Sequence, residues 1–467
     1  MPAPSPPAAP SMSAGIRLKL SLMMFLQFFI WGAWFEIGFS YIPALGFSSW
    51  QMMLIFGALN VGALVALFFS AQFADRTFAA EKFLAVSHLI GGLAILGLFF
   101  VRPEYIEQAI PGKSPGFYKM TLFVLFFGLM LIHALFYIPT ISITNSIAFA
   151  NLSDPARQFG PIRVLGTIGW IAASWPFIFI LIDWQQAAQY GDLPLIERIG
   201  KTLGSSLSGD AATNAKSYAF LVAGAASLVL AGFSLALPHT PPKPATGEDS
   251  LAWLKAMKLL RHPFVLVLFL VTFIDAAVHQ SFFYWTFDFL KDPVKINENW
   301  IGPVMKIGQI AEILTMLVLG FVLKSLGWRT TMVIGVLGHA ARFAVFAYFP
   351  DQQEAIILVN VMHGICYAFF FATVYIFVDE FFPKDIRSSA QGLFNVLILG
   401  IGPFAANTLC GILKEEYGVH TMVDGKDVVT MKDYTTVFQY SMGAAILGAV
   451  LLFAFFHPKK SLAEMSK

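Results

Sequence analysis

Three carboxylates stand in the middle of long apolar segments: Glu36 in LQFFIWGAWFEIGFSYI, Asp275 in VLVLFLVTFIDAAVHQSFFYW, and Glu312 in MKIGQIAEILTMLVLGFVL. A charge at bilayer depth costs at least ~2.5–3.5 kcal/mol on insertion scales, so such residues face a polar cavity or a partner. Gln309 lies three residues before Glu312, which puts a carboxamide and a carboxylate on one helix face. Five histidines, His88, His133, His279, His339 and His363, also fall in apolar stretches. A membrane histidine is more often an interhelical donor than a proton relay. His363 is singled out because it lies one turn before Tyr367 on the same helix face, and an ordinary pKa near ~6.5 suits proton uptake from an acidic exterior. Carboxylates held out of water can likewise load a proton on one side and release it on the other. The coupling candidates are therefore Glu36, Asp275, Glu312 and His363. The chemistry is that of handling protons and polar solutes inside a membrane.

The elements that must hold these groups follow from composition. The chain has 467 residues, of which 57% are hydrophobic and only 12% charged, with 48 phenylalanines. Soluble domains carry about 25% charged residues, so this chain is built for lipid. Its mean hydropathy is +0.70. A net charge of +2 gives no argument for nucleic acid. The two cysteines, Cys366 and Cys410, exclude a disulfide framework, and no Cys/His spacing suggests a metal site. No cofactor is expected. An enzyme is unsupported too: no nucleophile–base pair, HExxH or phosphate loop is present.

A span takes ~20 apolar residues. Twelve are expected, near 20–42, 51–73, 83–101, 119–142, 157–183, 217–237, 263–290, 301–323, 329–349, 354–378, 388–412 and 434–456. Lys and Arg are in excess on the segments that are inside if both termini are cytoplasmic. The polar, proline-rich run LPHTPPKPATGEDS falls after the sixth span and leads into LAWLKAMKLLRH, whose apolar and basic faces suit a helix on an anionic surface. The division is therefore a disordered cytoplasmic N-terminus (1–19), a first six-helix bundle (20–237), a cytoplasmic linker with an amphipathic helix (238–262), a second six-helix bundle (263–456) and a cytoplasmic tail (457–467). The short loops after spans two and eight, and after four and ten, echo each other, as parallel repeats require. One short helix is expected around 193–203 in the long loop 184–216.

Six runs carry a resemblance: FLQFFIWGAW (25–34), FYIPTISITNSIAF (136–149), PIRVLGTIGW (161–170), GQIAEI (308–313), ARFAVFAY (341–348) and IRSSAQGLF (386–394). With the A-D-R loop and the 6+6 plan, they resemble the nucleoside:proton symporter family of the major facilitator superfamily, and the likeness covers nearly the whole chain. It implies an all-α membrane protein with twelve transmembrane helices in two pseudo-symmetric six-helix bundles. It also implies a multi-pass permease of a bacterial inner membrane that imports nucleosides by proton symport through alternating access. Partners would be a nucleoside, protons and the lipid bilayer, and a monomer is expected. By the same resemblance Arg163, Thr167, Trp170, Gln280, Gln309, Glu312 and Tyr367 fall on substrate-site positions. Phe283 stands where the family has Asn, and Ala368 where characterised relatives have Asp. Asp75 and Arg76 match the conformational inner loop of the fold.

Physically, Arg163, Thr167 and Trp170 step by four and three and share a helix face, as do His363 and Tyr367. A nucleoside offers a flat base and a diol, which call for aromatic faces, carboxamides and a charged grip. Competing readings are a sugar or oligosaccharide proton symporter, an uncoupled nucleoside facilitator, and Glu312 as a structural partner of Arg342.

Overall fold

In a computed structural model the chain is described over residues 13–69, 78–153, 155–242, 257–382, 387–423 and 426–458. Asp75, Arg76 and most of the linker expected over 238–262 lie outside them, as do residues 1–12 and 459–467. The fold is almost wholly helical, with one antiparallel hairpin in which Val419–Val423 pairs with Lys426–Thr430. Among the described residues, ten helical stretches are long and apolar enough to cross a membrane.

The helices used below are α1 (Ala14–Ala44), α2 (Ser49–Phe69), α3 (Ala80–Leu98), α4 (Pro115–Ala150), α5 (Pro155–Ala172), α6 (Tyr218–Ser234), α7 (Pro263–Lys291), α8 (Glu298–Met305), α9 (Ile307–Tyr348), α10 (Met362–Cys366), α11 (Gly402–Tyr417) and α12 (Thr435–Phe455). Their starts obey capping chemistry. Ser13 and Ser114 accept from the backbone N–H of Ile16 and Phe117, and Pro115 and Pro263 occupy first-turn positions that need no donor. α8 and α9 together take in the segments expected near 301–323 and 329–349, with α9 running through both. Its helical path is interrupted at Gly327 (φ 73°, ψ 170°), a conformation that a side chain would resist. The helix expected around 193–203 is found as Leu195–Gly204.

Packing is mostly within each half of the chain. α3 lies on α6 and α4, α1 on α5 and α6, and α2 on α4; in the second half α9 lies on α12 and α10, and α7 on α11 and α12. Buried polar bonds accompany the apolar contacts. His88 bridges Ser227 and Gln27 at 2.9 Å each, and Gln27 donates to Thr140 at 2.9 Å. His88 and His133 thus serve as interhelical ties, His133 through the Gly91 carbonyl at 3.0 Å. Paired in this way, buried polar groups escape the cost of lost hydration.

The halves touch along α2–α11, α1–α7 and α5–α9, and at α8 against the short helix Trp175–Ile180. Asn60 of α2 donates to the Leu399 carbonyl at 3.1 Å. At the end of the molecule away from the start of α1, the clasp is polar and tight. Lys216 and Lys291 both pair with Glu298, at 2.6 and 2.8 Å, and Lys216 also donates to Ser40. Asn299 and Trp300 donate to the Leu203 carbonyl at 2.9 and 2.8 Å, and Asn297 to that of Gly204.

Candidate functional site

The run PIRVLGTIGW works as two faces of one helix. Gly166 and Gly169 lie against Phe28 and the Phe25 backbone of α1, and Gly32 of α1 lies against the Trp170 backbone, where a Cβ at any of the three would collide. This close crossing positions Arg163, Thr167 and Trp170, which step along the adjoining side of the same helix. The Arg163 guanidinium sits 4.0 Å over the Phe28 ring, an arrangement that holds it without an acid. Trp31 meets Trp170 edge-on at 5.5 Å, and Phe35 lies 6.1 Å from Trp170.

The second half is built by the same device. Gly364 abuts the backbone of Ala311 and Glu312, and Gly308 abuts His363, so α9 and α10 run in near contact. That brings Gln309 and Glu312 beside His363 and Tyr367. A π-helical turn, Tyr367–Ala372, follows at once; such turns recur at functional sites. Ala368, at the position where the resemblance expects Asp, is fully buried in this turn.

The two faces meet. Phe283 of α7 lies 5.3 Å from Phe35 and 6.5 Å from Trp170, ring centre to ring centre. Arg163 is close enough that its charge acts on Glu312, Tyr367 and Tyr375, and the charge of Glu312 acts on Tyr367. Arg163, Thr167, Trp170, Glu312 and Tyr367 are half-buried, while Phe283 and Gln309 are buried. Aromatic faces with one cation and one anion beside them can grip a flat, hydroxyl-bearing solute.

Other expected residues lie elsewhere. Gln280 is buried and donates to Asn407 of α11 at 3.0 Å, so one end of its amide is engaged within the second half. Asp275 is fully buried, with His339 Nε2 at 3.7 Å from its Oδ2. Arg342 bonds to His363 and His339, at 2.8 and 3.0 Å, and stacks on Phe282 at 3.9 Å; it is the partner of these histidines and not of Glu312. Trp34 packs against Phe220 and His133 inside the first half, so it serves the core.

Sequence reasoning missed Lys306. It lies at the junction of α8 and α9, almost fully buried, and pairs with Glu36 Oε1 at 2.7 Å across the two halves. Its Nζ also sits 4.2 Å over the Trp170 ring. A lysine inside an apolar span was itself the signal, since buried charges in lipid come with partners. Between the pair and the Lys216–Glu298–Lys291 clasp, Gly32, Glu36, Ser174, Glu298 and Asn299 line one small gap.

Comparison with known proteins agrees with this architecture. The chain is 31% identical over 448 residues to YegT of Escherichia coli (strain K12), which carries a nucleoside-transporter designation; the match spans 94% of this chain and 93% of that protein. It is 26% identical over 456 residues to the xanthosine permease of the same organism, spanning 94% and 95%. The crystal structure of the nucleoside transporter NupG superimposes with a TM-score of 0.70 at 24% identity, covering 94% of this chain and 99% of that one. A D-xylose-proton symporter superimposes at 0.63 with 13% identity, covering 95% and 98%. These two likenesses show a shared fold. The curated relatives are transporters and permeases, not enzymes. The sequence profile described as nucleoside H+ symporter matches residues 14–106, 116–195 and 201–461, so the chain belongs to the nucleoside H+ symporter family.

Proposed function

We propose that this protein imports nucleosides together with protons across a bacterial inner membrane, by alternating access between two six-helix bundles. The observation that carries the reading is that Phe283 of the second half packs on Phe35 and Trp170 of the first, with Arg163 of the first half within electrostatic reach of Glu312 and Tyr367 of the second. A site shared by two halves is one that opens to either side when the halves rock. Trp170, Phe283 and Tyr367 offer faces to a base. Gln309, and Gln280 with its amide oriented by Asn407, offer hydrogen bonds to a base edge, and Glu312 with Arg163 and Thr167 holds the ribose diol. The coupling proton is carried among Glu36, Asp275, Glu312 and His363.

Twelve crossings follow if α2 spans and α9 reverses at Gly327. α2 supplies 21 residues of high hydropathy, and the extended backbone at Gly327 supports the second condition. With both termini cytoplasmic, the Lys216–Glu298–Lys291 clasp is the outer gate, and the half-buried Arg163 and Glu312 belong to a state closed to the outside. Asp75 and Arg76 complete the inner-loop device of this scheme.

The test is uptake of radiolabelled uridine and adenosine by cells or proteoliposomes, with and without a protonophore. Protonophore-sensitive accumulation is expected. Accumulation of a sugar and of neither nucleoside overturns the substrate reading, and protonophore-insensitive equilibration overturns the coupling.

A further inference from the structure

Behind the chamber wall lies a polar cluster that the substrate site does not use: Asp275 and His279 from α7, His339 and Arg342 from the far part of α9, and His363 from α10. Asp275, His339 and Arg342 are 0% exposed and His363 is 2% exposed. His279 is half-buried, and its ring lies 4.7 Å from that of His363 and 6.3 Å from Tyr367, so it links cluster and chamber.

The hydrogen bonds fix the protonation pattern. A guanidinium donates and cannot accept. Arg342 Nη1 lies 2.8 Å from His363 Nδ1, and Nη2 lies 3.0 Å from His339 Nδ1. Both Nδ1 atoms therefore carry lone pairs, and each neutral ring holds its proton on Nε2. The His339 N–H is directed toward Asp275 Oδ2, at 3.7 Å. His363 Nε2 lies 3.2 Å from Gln309 Nε2, and with the ring proton on Nε2 the amide is read turned over, so that its otherwise unpartnered oxygen accepts from the ring. Neither carboxylate oxygen of Asp275 receives a hydrogen bond among the described residues.

This arrangement has two states. A proton arriving on Nδ1 of either imidazole consumes the lone pair, and the Arg342 N–H bond to it breaks. The guanidinium is then free to turn toward Asp275, the acid left without a donor, on which its charge already acts. No electrons move: one N–H bond forms, and one hydrogen bond changes acceptor. His363, released from Arg342, carries Gln309 with it, one turn from Glu312. We propose that this Asp275–His339–Arg342–His363 cluster is the binding site of the co-transported proton, with Arg342 as the moving charge that reports occupancy to Gln309 and Glu312. The inference rests on the symport reading given above and deepens it.

The charged and titratable groups facing the cluster are few. α7 brings Asp275 and His279, and the first part of α9 brings Lys306 and Glu312 beyond Gln309. α10 and the turn after it bring Cys366 and Tyr367. α12 packs on α9 and contains no charged residue.

Two measurements test the proposal. In proteoliposomes with an inward gradient of one pH unit, each coupled proton sets a uridine accumulation limit of about tenfold, since one unit is ~1.4 kcal/mol. The variant His339→Asn keeps an oxygen that accepts from Arg342 but takes no proton, and leaves His363 and the residues beside it unchanged. It is expected to lower uridine accumulation well below the native limit while uridine exchange continues. Native-like accumulation by that variant overturns the site, and native protein that exchanges uridine without accumulating it overturns both the coupling and the site. The second measurement does not depend on transport: ¹⁵N-histidine NMR of the full-length native protein from about pH 8 to pH 5. Two rings protonated on Nε2, with one or both converting to imidazolium on acidification, are expected. Nδ1-protonated rings at high pH, or no conversion, overturn the proposal even if uridine and adenosine prove not to be substrates or the variant fails to fold.

Discussion

Changing Lys306 to Met is the perturbation with the clearest physical consequence. In the structure its ammonium neutralises Glu36 at 2.7 Å, and the two side chains are 2% and 4% exposed. Removing one member of a buried pair leaves an uncompensated charge, at a cost of about 3–5 kcal/mol. The cost falls on the state in which the halves are clasped, because the pair spans them. At 1.4 kcal/mol per factor of ten, the clasped-to-open ratio should fall by roughly 10²- to 10³-fold. The Lys216–Glu298–Lys291 bridges hold the same interface, so the lower figure is expected. The assay is alkylation of Ser174→Cys by an impermeant maleimide added outside, in a background lacking Cys366 and Cys410. Ser174 is 5% exposed and lines the gap beside Glu36 and Glu298, so the clasp shields it. Lys306→Met should accelerate labelling strongly, and Glu36→Leu/Lys306→Met should return it toward the native rate, because an apolar pair carries no stranded charge. Native labelling by the single variant, or a double variant as fast as the single, would refute the reasoning.

Other perturbations have distinct readouts. Glu312→Gln removes a charged hydrogen-bond acceptor worth about 1.5–3 kcal/mol, so uridine binding to purified protein should weaken roughly 10- to 100-fold with insertion unchanged; native affinity removes Glu312 from the site. Gly169→Val drives a side chain into the Phe25 backbone and should lower thermal stability by about 1–3 kcal/mol, whereas Gly232→Ala, with open space around it, should be neutral or stabilising. Equal melting temperatures for the two would contradict the close α1–α5 crossing. Asn299→Ala deletes one of the two donors to the Leu203 carbonyl, with Trp300 remaining, and costs about 0.5–1.5 kcal/mol of outer closure. Faster labelling of Ser174→Cys is the expected sign, and an unchanged rate argues against a gate there.

Much of this architecture is legible from residue patterning because lipid enforces it. Long apolar runs must become helices, as every backbone group has to be bonded within its own segment. For the same reason Glu36, Asp275 and Glu312 stand out in the sequence. The face shared by Gln309 and Glu312 is local helix geometry, and so is the one carrying Arg163, Thr167 and Trp170. Partnerships between distant helices are a different matter. Nothing in the spacing joins Glu36 to Lys306, or Arg342 to His339 and His363, since these depend on which helices cross and how closely. The glycines at 32, 166, 169, 308 and 364 decide that, and their role shows only when the opposing backbone is seen. The hairpin between α11 and α12 does have a signal, the Asp424-Gly425 dipeptide between short runs containing valines. Those runs are brief, with adjacent polar residues (His420-Thr421 and Lys426-Asp427) in place of strict alternation, so between two apolar spans they read equally well as a connecting loop.

The central claim is that a nucleoside and a proton cross together through a chamber shared by the two halves. Its most direct test is to load proteoliposomes with a pH-sensitive dye, add external uridine or adenosine with no imposed gradient, and record luminal pH. Nucleoside-evoked acidification, absent from protein-free vesicles, is the predicted result. An unchanged lumen with both nucleosides, alongside acidification evoked by a sugar, would contradict the account.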